Sequence, residues 1–406
     1  MQFLIWEKLC TFAVVMKIVV LLSRVPYPLE KGDKLRAYHQ IKDLAKKHEI
    51  YLVALNDTKI DPLAIQELSP FCKDILILNL SRWSRLVGLF YAFFKGIPLQ
   101  CGYFYSAKAK AKFIDFINQI QPDHLFCQIV RVVEYVKGLK ILKTLDYQDV
   151  FSKGMQRRYE NGSFLAKPLY WFEYKRLVKY EQYAFSLFDH HTIITGVDRD
   201  LIPHPEHFKI EVVSNGVDFE KYQIQGQPKE YDLIFSGNMS YPPNIDAAEY
   251  IVKHIFPVLQ KDFPNLKLVI CGAAPSSRVL ALASPHITVT GWVDSMATYY
   301  AKSKIFIAPM RMGTGLQNKL IEAMAMKLPC VTSTLAGKPL EGVEFGQDII
   351  ICETVSGYLV AIKKLLTNPD LYHAVAENGY QFVKQNYNWE SINTKLEKII
   401  TGQIES

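Results

Sequence analysis

Several features that would mark a special class of protein are missing from this 406-residue sequence. Its seven cysteines are scattered, with no CxxC pair and no Cys/His cluster, which argues against a disulfide framework or a zinc site and favours a reducing cytoplasm. No apolar run reaches the roughly 18 residues that a membrane-spanning helix needs, because Glu7, Lys8 and Lys17 interrupt the apolar N-terminus. Internal repeats and low-complexity tracts are also missing. These absences indicate an ordinary globular protein.

The N-terminus is compatible with two interpretations. Residues 9–15 are long enough only for a short signal-like segment. Alternatively, translation starts at Met16, directly before residues 17–22, which have the composition of a first strand. The sequence leaves Met1 and Met16 open as the start.

Size and composition predict two folded domains. Hydrophobic residues make up 49% of the chain and charged residues 21%, values typical of a soluble folded protein. A chain of 406 residues exceeds the length at which a single core keeps growing, so two domains of roughly 200 residues are expected.

The net charge of +7 is concentrated in the N-terminal half. Residues 1–200 hold 29 Lys and Arg against 20 Asp and Glu, whereas the remainder holds 18 against 20. An ordinary solvated basic surface explains this asymmetry, and so does attraction to an anionic membrane or a phosphorylated lipid. No nucleic-acid-binding module is recognisable, so nucleic acid is not an expected partner.

Short β-branched runs alternate with helical patterns, which is typical of βαβ units around a parallel sheet. This alternation occurs twice. The predicted strands are residues 18–22, 50–54, 75–78 and 124–127 in the first half, and 232–235, 266–271, 287–290, 305–309 and 330–332 in the second. A helical rhythm covers residues 35–47. The predicted fold is therefore α/β, with two domains.

The strongest candidate site lies in residues 309–325, where a strand end passes through a glycine-rich turn into a helix. Glycines let backbone N–H groups approach an anion, and the helix N-terminus adds partial positive charge. Arg311 and Lys319 are positioned to neutralise a diphosphate, and Glu322 is a candidate acceptor for ribose hydroxyls. Because such a strand–turn–helix arrangement is common, a purely structural turn is the alternative interpretation on the pattern alone.

This stretch, with residues 328–332 after it, resembles the donor-site signature of retaining glycosyltransferases of family four, the glycosyl transferases group 1. Residues 214–218, 235–244, 271–272 and 290–294 fit the same family in order. The resemblance implies a GT-B fold, in which two Rossmann-like domains face each other across a cleft. It places Glu322 as the second glutamate of the family's pair, whereas Thr314 stands where many members have the first.

The resemblance implies a donor site in the C-terminal domain. Its predicted donor-binding residues are Gly237, Asn238, Gly272, Gly313, Thr314, Gly315, Leu316, Gln317, Asn318 and Glu322. The family's usual arginine and lysine after the first loop are absent here, so Arg311 and Lys319 are predicted to stabilise the leaving diphosphate. For Gly237, a tight strand-to-loop turn is the alternative interpretation.

The N-terminal half carries the predicted acceptor site. The loop 26–36 follows the first strand, where ligands bind in open α/β sheets, and together with residues 315–319 it resembles the sugar transferases of bacterial surface-polysaccharide clusters. The predicted acceptor-binding residues are Lys31, Gly32, Asp33, Gln128 and Arg131. Asp146 and Asp149 are candidates for acceptor binding or proton removal, and each is equally suited to a cap or turn.

Three segments mix bulky apolar residues with cations: residues 82–86, 90–95 and 170–176. Such mixtures suit a membrane interface. The alternative is that the aromatic side chains are core and the cations are solvated.

The predicted domains are an acceptor-binding domain at 16–205, a nucleotide-sugar-binding domain at 206–385, and a helix at 386–406 that crosses back. The predicted activity is retaining transfer of a hexosyl group from a nucleotide-diphosphate sugar to a glycan or lipid-linked acceptor. No metal or cofactor is expected, and no DxD motif is recognisable. The expected location is the cytoplasm, with peripheral attachment to the inner membrane face. A nucleotide-sugar epimerase and a non-enzymatic binding protein are the rival hypotheses.

Overall fold

A computed structural model describes residues 15–29, 31–222, 226–313 and 315–403, except for the side chain of Asn161. The chain divides into two compact units. The first comprises residues 1–191 with 397–406, and the second comprises residues 192–396. The alternatives for the N-terminus at residues 1–14 lie outside the described residues, and the predicted domain boundaries after residues 205 and 385 remain predictions.

The first sheet has seven strands in the order β3-β2-β1-β4-β5-β6-β7. The strands are β1 (Lys17–Leu22), β2 (Glu49–Asn56), β3 (Asp74–Asn79), β4 (His124–Gln128), β5 (Leu142–Asp146), β6 (His190–Ile193) and β7 (Glu211–Val212). The division between the two units falls within β6. The central strand β1 pairs in parallel with β2 and β4, and residues 18–22 are buried, as expected for a strand covered on both faces.

The helices that accompany this sheet are α1 (Gly32–Leu44), α2 (Ala64–Leu68), α3 (Arg82–Lys95), α4 (Leu99–Tyr103), α5 (Ala107–Ile120), α6 (Val133–Val136), α7 (Phe151–Asn161) and α8 (Lys167–Leu187). Local sequence sets their ends. The Ser81 hydroxyl accepts a hydrogen bond from the Ser84 amide and caps the start of α3, whereas Gly96 at φ 71° ends it, a left-handed conformation that glycine adopts without strain.

The second sheet has six strands in the order β10-β9-β8-β11-β12-β13. They are β8 (Tyr231–Ser236), β9 (Leu268–Cys271), β10 (Ile287–Gly291), β11 (Ser303–Ala308), β12 (Cys330–Thr332) and β13 (Ile350–Ile351). All five strand pairs are parallel. The strand order reverses between β8 and β11, and ligands bind beyond the carboxyl ends of strands at such a reversal.

The helices of the second unit are α9 (Gly196–Arg199), α10 (Pro242–Tyr250), α11 (Phe256–Asp262), α12 (Ser277–Leu280), α13 (Met296–Ala301), α14 (Asn318–Ala325), α15 (Thr334–Gly337), α16 (Val355–Thr367) and α17 (Pro369–Asn386). A π-helical turn, Ile251–Ile255, joins α10 to α11. The last helix, α18 (Trp389–Ile400), begins in this unit, and its residues from Glu397 onward belong to the first.

The nine predicted strands are confirmed, with small shifts at their ends, and the predicted helix 35–47 corresponds to α1 at Gly32–Leu44. Four strands were not predicted: β5, β6, β7 and β13. β5 begins with exposed and half-buried residues, Leu142 and Lys143, and β7 and β13 have two residues each. Of the helices in the described part of the chain, none is both long and apolar enough to cross a bilayer.

Candidate functional site

Two glycines stand where β8 and β9 end, and they let the two following loops pack backbone against backbone. Gly237 has φ 150° and Gly272 has φ 143°. A Cβ added to Gly272 would lie 1.8 Å from the Gly237 carbonyl oxygen. The Gly237 amide donates to the Cys271 carbonyl at 3.0 Å. No side chain fits between these loops, so both glycines are required by the backbone geometry.

We expect Gly272→Ala to lower the free energy of unfolding by about 2–4 kcal/mol, because it combines unfavourable φ with a backbone clash. Chemical denaturation measures this loss. Gly346→Ala is the matched control, since Gly346 also has positive φ (88°) but has open space where a Cβ would lie. If both variants lost the same free energy of unfolding, close packing of the loops would make no contribution to stability at Gly272.

Lys319, in the first turn of α14, is a cation held by neutral groups. Its Nζ donates to the Asn244 side-chain oxygen at 2.6 Å and lies 4.8 Å from the centroid of the Phe235 ring. In the described part of the chain, Lys319 forms no ion pair with a carboxylate. Burial lowers the pKa of Lys319 to about 7, although the nearby charge of Glu322 offsets part of this shift. A half-buried ammonium group held by neutral partners favours an incoming anion.

Glu322 lies one turn further along α14 and is held by two tyrosines. Its Oε2 accepts a hydrogen bond from the Tyr300 hydroxyl at 3.0 Å, and Tyr222 makes a second side-chain hydrogen bond. The Ser236 and Tyr300 hydroxyls are 2.8 Å apart. Burial raises the pKa of Glu322, while these hydrogen bonds and the charges of Lys221 and Lys319 oppose the rise. The carboxylate is therefore positioned by a network of side chains.

Arg311 differs from Lys319 because its charge already has a partner. Its Nε and Nη2 donate to the two Asp246 carboxylate oxygens at 3.0 and 2.5 Å, and its guanidinium lies 4.5 Å from the centroid of the Tyr250 ring. The hydrogen bond to Asp246 raises the pKa of Arg311. The Arg311 side chain remains 52% exposed. A diphosphate would have to compete with Asp246 for this cation.

The segment between β11 and α14 supplies the remaining predicted donor residues. Gly313 and Gly315 have φ of 113° and 73°, and Thr314 lies outside the described residues. Leu316 packs against the core of the second unit. Gln317 directs its side-chain amide to the Gly315 carbonyl at 3.4 Å, and Asn318 accepts from Asn215 at 3.2 Å. The turn thus leads into the N-terminus of α14, as the sequence predicts.

Asn238 and Asn244 shape the loop after β8. The Asn238 side-chain oxygen accepts from the Ser240 amide at 2.9 Å, and its carbonyl accepts from the Asn244 side chain at 2.9 Å. Asn244 therefore connects this loop to Lys319. The predicted donor residues Gly237, Asn238, Gly272 and Glu322 belong to loops and a helix at the same end of the second sheet, and Lys319, predicted to stabilise the leaving diphosphate, lies on that helix.

In the first unit, Asp146 is fully buried and forms an ion pair with Arg36, which is also fully buried. Arg36 Nε and Nη2 donate to the two carboxylate oxygens at 2.7 and 3.1 Å. Asp149 is exposed, and its carboxylate accepts from the Val150 amide at 2.7 Å directly before α7. The geometry therefore gives Asp146 a structural contact and leaves Asp149 accessible to an acceptor, while both catalytic assignments remain predictions.

The five predicted acceptor residues occupy different environments. Lys31 and Gly32 are exposed, and Asp33 pairs with Arg24 at 3.3 Å. Gln128 is buried and donates to Gln40 at 2.5 Å. Arg131 lies over the rings of Phe104 and Phe151, at 5.3 and 5.0 Å from their centroids, and burial lowers its pKa.

A cavity of about 390 Å³ lies beside the predicted acceptor loop, within the first unit. Its walls come from the loops that follow β1 and β2. Four cations line it, Arg24, Lys31, Lys34 and Lys59, together with Asp57 and Asp61. This excess of cations suits an acceptor that carries negative charge.

Sequence reasoning did not identify Tyr222, Tyr300, Asn244 or Asp246 as part of the site. Asn244 lies within residues 235–244, which carry the family resemblance, so this segment could have identified it. Tyr222 and Tyr300 belong to no motif and reach Glu322 only through the fold. Asp246, in α10, shows its role only through the position of Arg311.

Solved structures of other proteins match almost the whole chain. Sucrose-phosphate synthase from Thermosynechococcus elongatus matches with a TM-score of 0.68 at 14% identity, covering 95% of this chain and 99% of the other. Anabaena HepE in complex with UDP-glucose matches with a TM-score of 0.67 at 12% identity, covering 95% and 100%. The fold is GT-B.

The sequence around the site is similar to a known family. Residues 230–368, which contain Lys319 and Glu322, match the family model of the Glycosyl transferases group 1. An "Uncharacterized 44.6 kDa protein in cps region" of Klebsiella pneumoniae is 22% identical over 94% of this chain and 99% of its own length.

Proposed function

We propose that this chain is a retaining glycosyltransferase of the hexosyltransferase type, which transfers a sugar from a nucleotide-diphosphate sugar to a glycan or lipid-linked acceptor in surface-polysaccharide synthesis. The observation that carries the proposal is that one helix, α14, presents both a cation and a carboxylate. Lys319 has no anionic partner among the described residues, and Glu322 is held in place by Tyr300. The named cps region of the Klebsiella relative supports the biological setting.

In the proposed reaction, the bond between the anomeric carbon and the diphosphate breaks while the acceptor oxygen forms the new glycosidic bond. Lys319 and the first-turn amides of α14 stabilise the negative charge that grows on the leaving diphosphate. Glu322 accepts hydrogen bonds from the donor ribose, and the glycine loops after β8 and β9 let the ligand approach the backbone.

Arg311 contributes as a second cation once the diphosphate displaces Asp246. On the acceptor side, we propose that the cation-lined cavity beside Lys31 binds the acceptor's anionic portion, with Asp149 accessible for proton removal. The donor is the substrate, and the proposed reaction includes no cofactor or metal. The reaction is proposed to take place in the cytoplasm, at the inner face of the cytoplasmic membrane, where a lipid-linked acceptor lies.

Incubation with a panel of UDP- and GDP-sugars tests this function. We expect hydrolysis of one donor without acceptor and faster turnover with acceptor, and NMR of the transfer product should show retained anomeric configuration. A change in the sugar alone would indicate an epimerase, and binding without turnover would indicate a binding protein. An inverted product would disprove the retaining assignment.

We expect Glu322→Ala to weaken binding of the accepted donor by roughly tenfold or more. The ribose hydroxyls of the bound donor would lose their hydrogen-bond acceptor, and leaving such groups unpaired costs about 1–3 kcal/mol. Isothermal titration calorimetry measures the affinity. Glu377→Ala is the control, since Glu377 pairs with Lys327 on the surface of the same unit. Unchanged affinity in a folded Glu322→Ala variant would rule out the ribose contact.

A further inference from the structure

Helix α3 buries its small residues and exposes its large apolar ones, the reverse of the arrangement expected for a helix that only supports a core. Its small residues Gly88 and Ala92 are buried, and a Cβ added to Gly88 would lie 2.1 Å from the Gly102 carbonyl oxygen. The opposite face carries large apolar side chains that are half or more exposed: Trp83, Leu86, Val87, Phe90, Phe93 and Phe94. We call these six residues the α3 face. Packing alone would turn such residues inward.

The three most exposed side chains of the α3 face are aromatic. Trp83 is 74% exposed, Phe90 66% and Phe94 81%. Gly88 and Ala92 hold the helix against its neighbours, so rotation of α3 would replace a close backbone contact with bulky side chains. The helix is therefore held with its apolar face outward.

A second apolar segment extends this surface. The turn between α7 and α8 presents Phe164, 85% exposed, and Leu165, 90% exposed. Leu169 and Trp171 follow in the first turns of α8 and are also exposed. We call these four residues the α8 turn.

Direct contacts fasten α8 to α3. The Phe93 and Phe172 rings stack with their centroids 6.1 Å apart. Arg176 donates to the backbone carbonyls of Ala92 and Phe93, each at 2.9 Å. The α3 face and the α8 turn thus belong to neighbouring helices within the first unit.

The charge around both segments is mainly positive. Residues 82–95 and 157–179 contain nine basic and two acidic residues. Arg82, Lys95, Arg158, Lys175 and Lys179 are exposed. Of the two acids, Glu173 is buried and accepts from the Leu99 and Gln100 amides at the start of α4, which leaves Glu160 as the exposed one in these two segments.

We infer that the α3 face and the α8 turn insert together into one leaflet of an anionic bilayer, with the surrounding basic residues at the level of the lipid headgroups. Aromatic side chains bordered by Lys and Arg match that interface. The 14 residues of α3 span about 21 Å, too short to cross the hydrocarbon core. The helix is therefore expected to lie in the plane of the interface.

The charge complement favours a bilayer over a protein partner. Interfaces between proteins are depleted of charge at their centres and need a complementary pocket for each large anchor. The acyl chains of a bilayer are fluid, so side chains as exposed as Phe164 and Leu165 can insert among them without a preformed pocket. This inference concerns the first unit alone, so it stands or fails independently of the proposed donor chemistry.

Sedimentation with vesicles of 30% phosphatidylglycerol in phosphatidylcholine tests the inference. We expect the wild-type chain to bind these vesicles at low salt, to bind pure phosphatidylcholine much more weakly, and to dissociate as salt screens the charges. The triple variant Trp83→Ser, Phe90→Ser, Phe94→Ser should bind at least tenfold more weakly. Arg82→Ser with Lys95→Ser and Lys175→Ser should lose chiefly the preference for anionic lipid.

The matched control replaces three comparably exposed apolar residues of the other unit, Phe208, Leu280 and Val360, with serine and should bind as wild type does. Donor hydrolysis should be the same in all variants. Lack of binding by the wild type at low salt, or equal binding by the triple variant, would overturn the inference. A wild-type dimer that the triple variant dissociates, measured by light scattering without lipid, would assign the surface to a second copy instead.

Discussion

Replacement of Lys319 by methionine is expected to lower kcat by about two to three orders of magnitude, the cost of removing one well-placed donor from a developing negative charge. Methionine preserves the length and apolar stem of the side chain, so the Asn244 and Phe235 neighbours should keep their places. The loss should appear in kcat under saturating donor and acceptor, because charge on the diphosphate grows toward the transition state.

Arg311→Met is the matched comparison. Asp246 already neutralises this exposed arginine, so the diphosphate would first have to displace Asp246. We therefore expect a smaller loss of kcat, of about tenfold or less. Equal kcat in wild type and Lys319→Met would remove Lys319 from the reaction, and a larger loss for Arg311→Met would reverse the ranking of the two cations.

The pH dependence of donor affinity provides a second measurement on Lys319. Its pKa is lowered to about 7, and only the protonated form attracts a diphosphate. Affinity should therefore be highest below pH 7 and fall as the pH rises through that pKa, by up to tenfold per pH unit. The bound diphosphate raises the pKa again, so binding should take up a proton, and calorimetry in buffers of different ionisation enthalpy measures this uptake. Lys319→Met should lack the proton uptake.

Asp146→Ala is expected to reduce the free energy of unfolding by about 3–5 kcal/mol, because it leaves Arg36 as a buried charge without its carboxylate. For a unit of this size, the melting temperature should fall by on the order of 10 °C. Differential scanning calorimetry measures the transition of the first unit. Lys73→Ala removes an exposed ion pair, 3.8 Å long with Glu49, and should cost less than about 1 kcal/mol.

A double variant separates structural from catalytic roles of Asp146. Arg36→Met with Asp146→Leu removes both charges and should recover much of the lost stability, since a buried pair can often be replaced by apolar residues. If this stable double variant keeps its kcat, Asp146 acts through folding alone. If stability returns but turnover does not, the carboxylate contributes to the reaction.

The positions of most strands were predictable because each buried parallel strand is a short apolar run. Residues 18–22 and 330–332 illustrate this, since they coincide with β1, apart from its first residue, and with β12. β5 was missed because it begins with the exposed Leu142 and the half-buried, charged Lys143, so that only its last three residues are buried. Burial by neighbouring strands is a tertiary property that such a sequence pattern does not contain.

By itself, the sequence determined the two α/β domains and the glycine turn leading into α14, because apolar periodicity and glycine positions act locally along the chain. The ranking of Arg311 and Lys319 depended on the tertiary structure, since both are cations in one motif and Asp246, 65 residues away from Arg311, pairs with that arginine. The same holds for Asp146, whose partner Arg36 is 110 residues away. It also holds for α3: the sequence contains a face of large apolar residues, but the close contact between Gly88 and Gly102 decides that this face points outward. Pairing and burial arise between distant parts of the chain, and a pattern of neighbouring residues does not encode them.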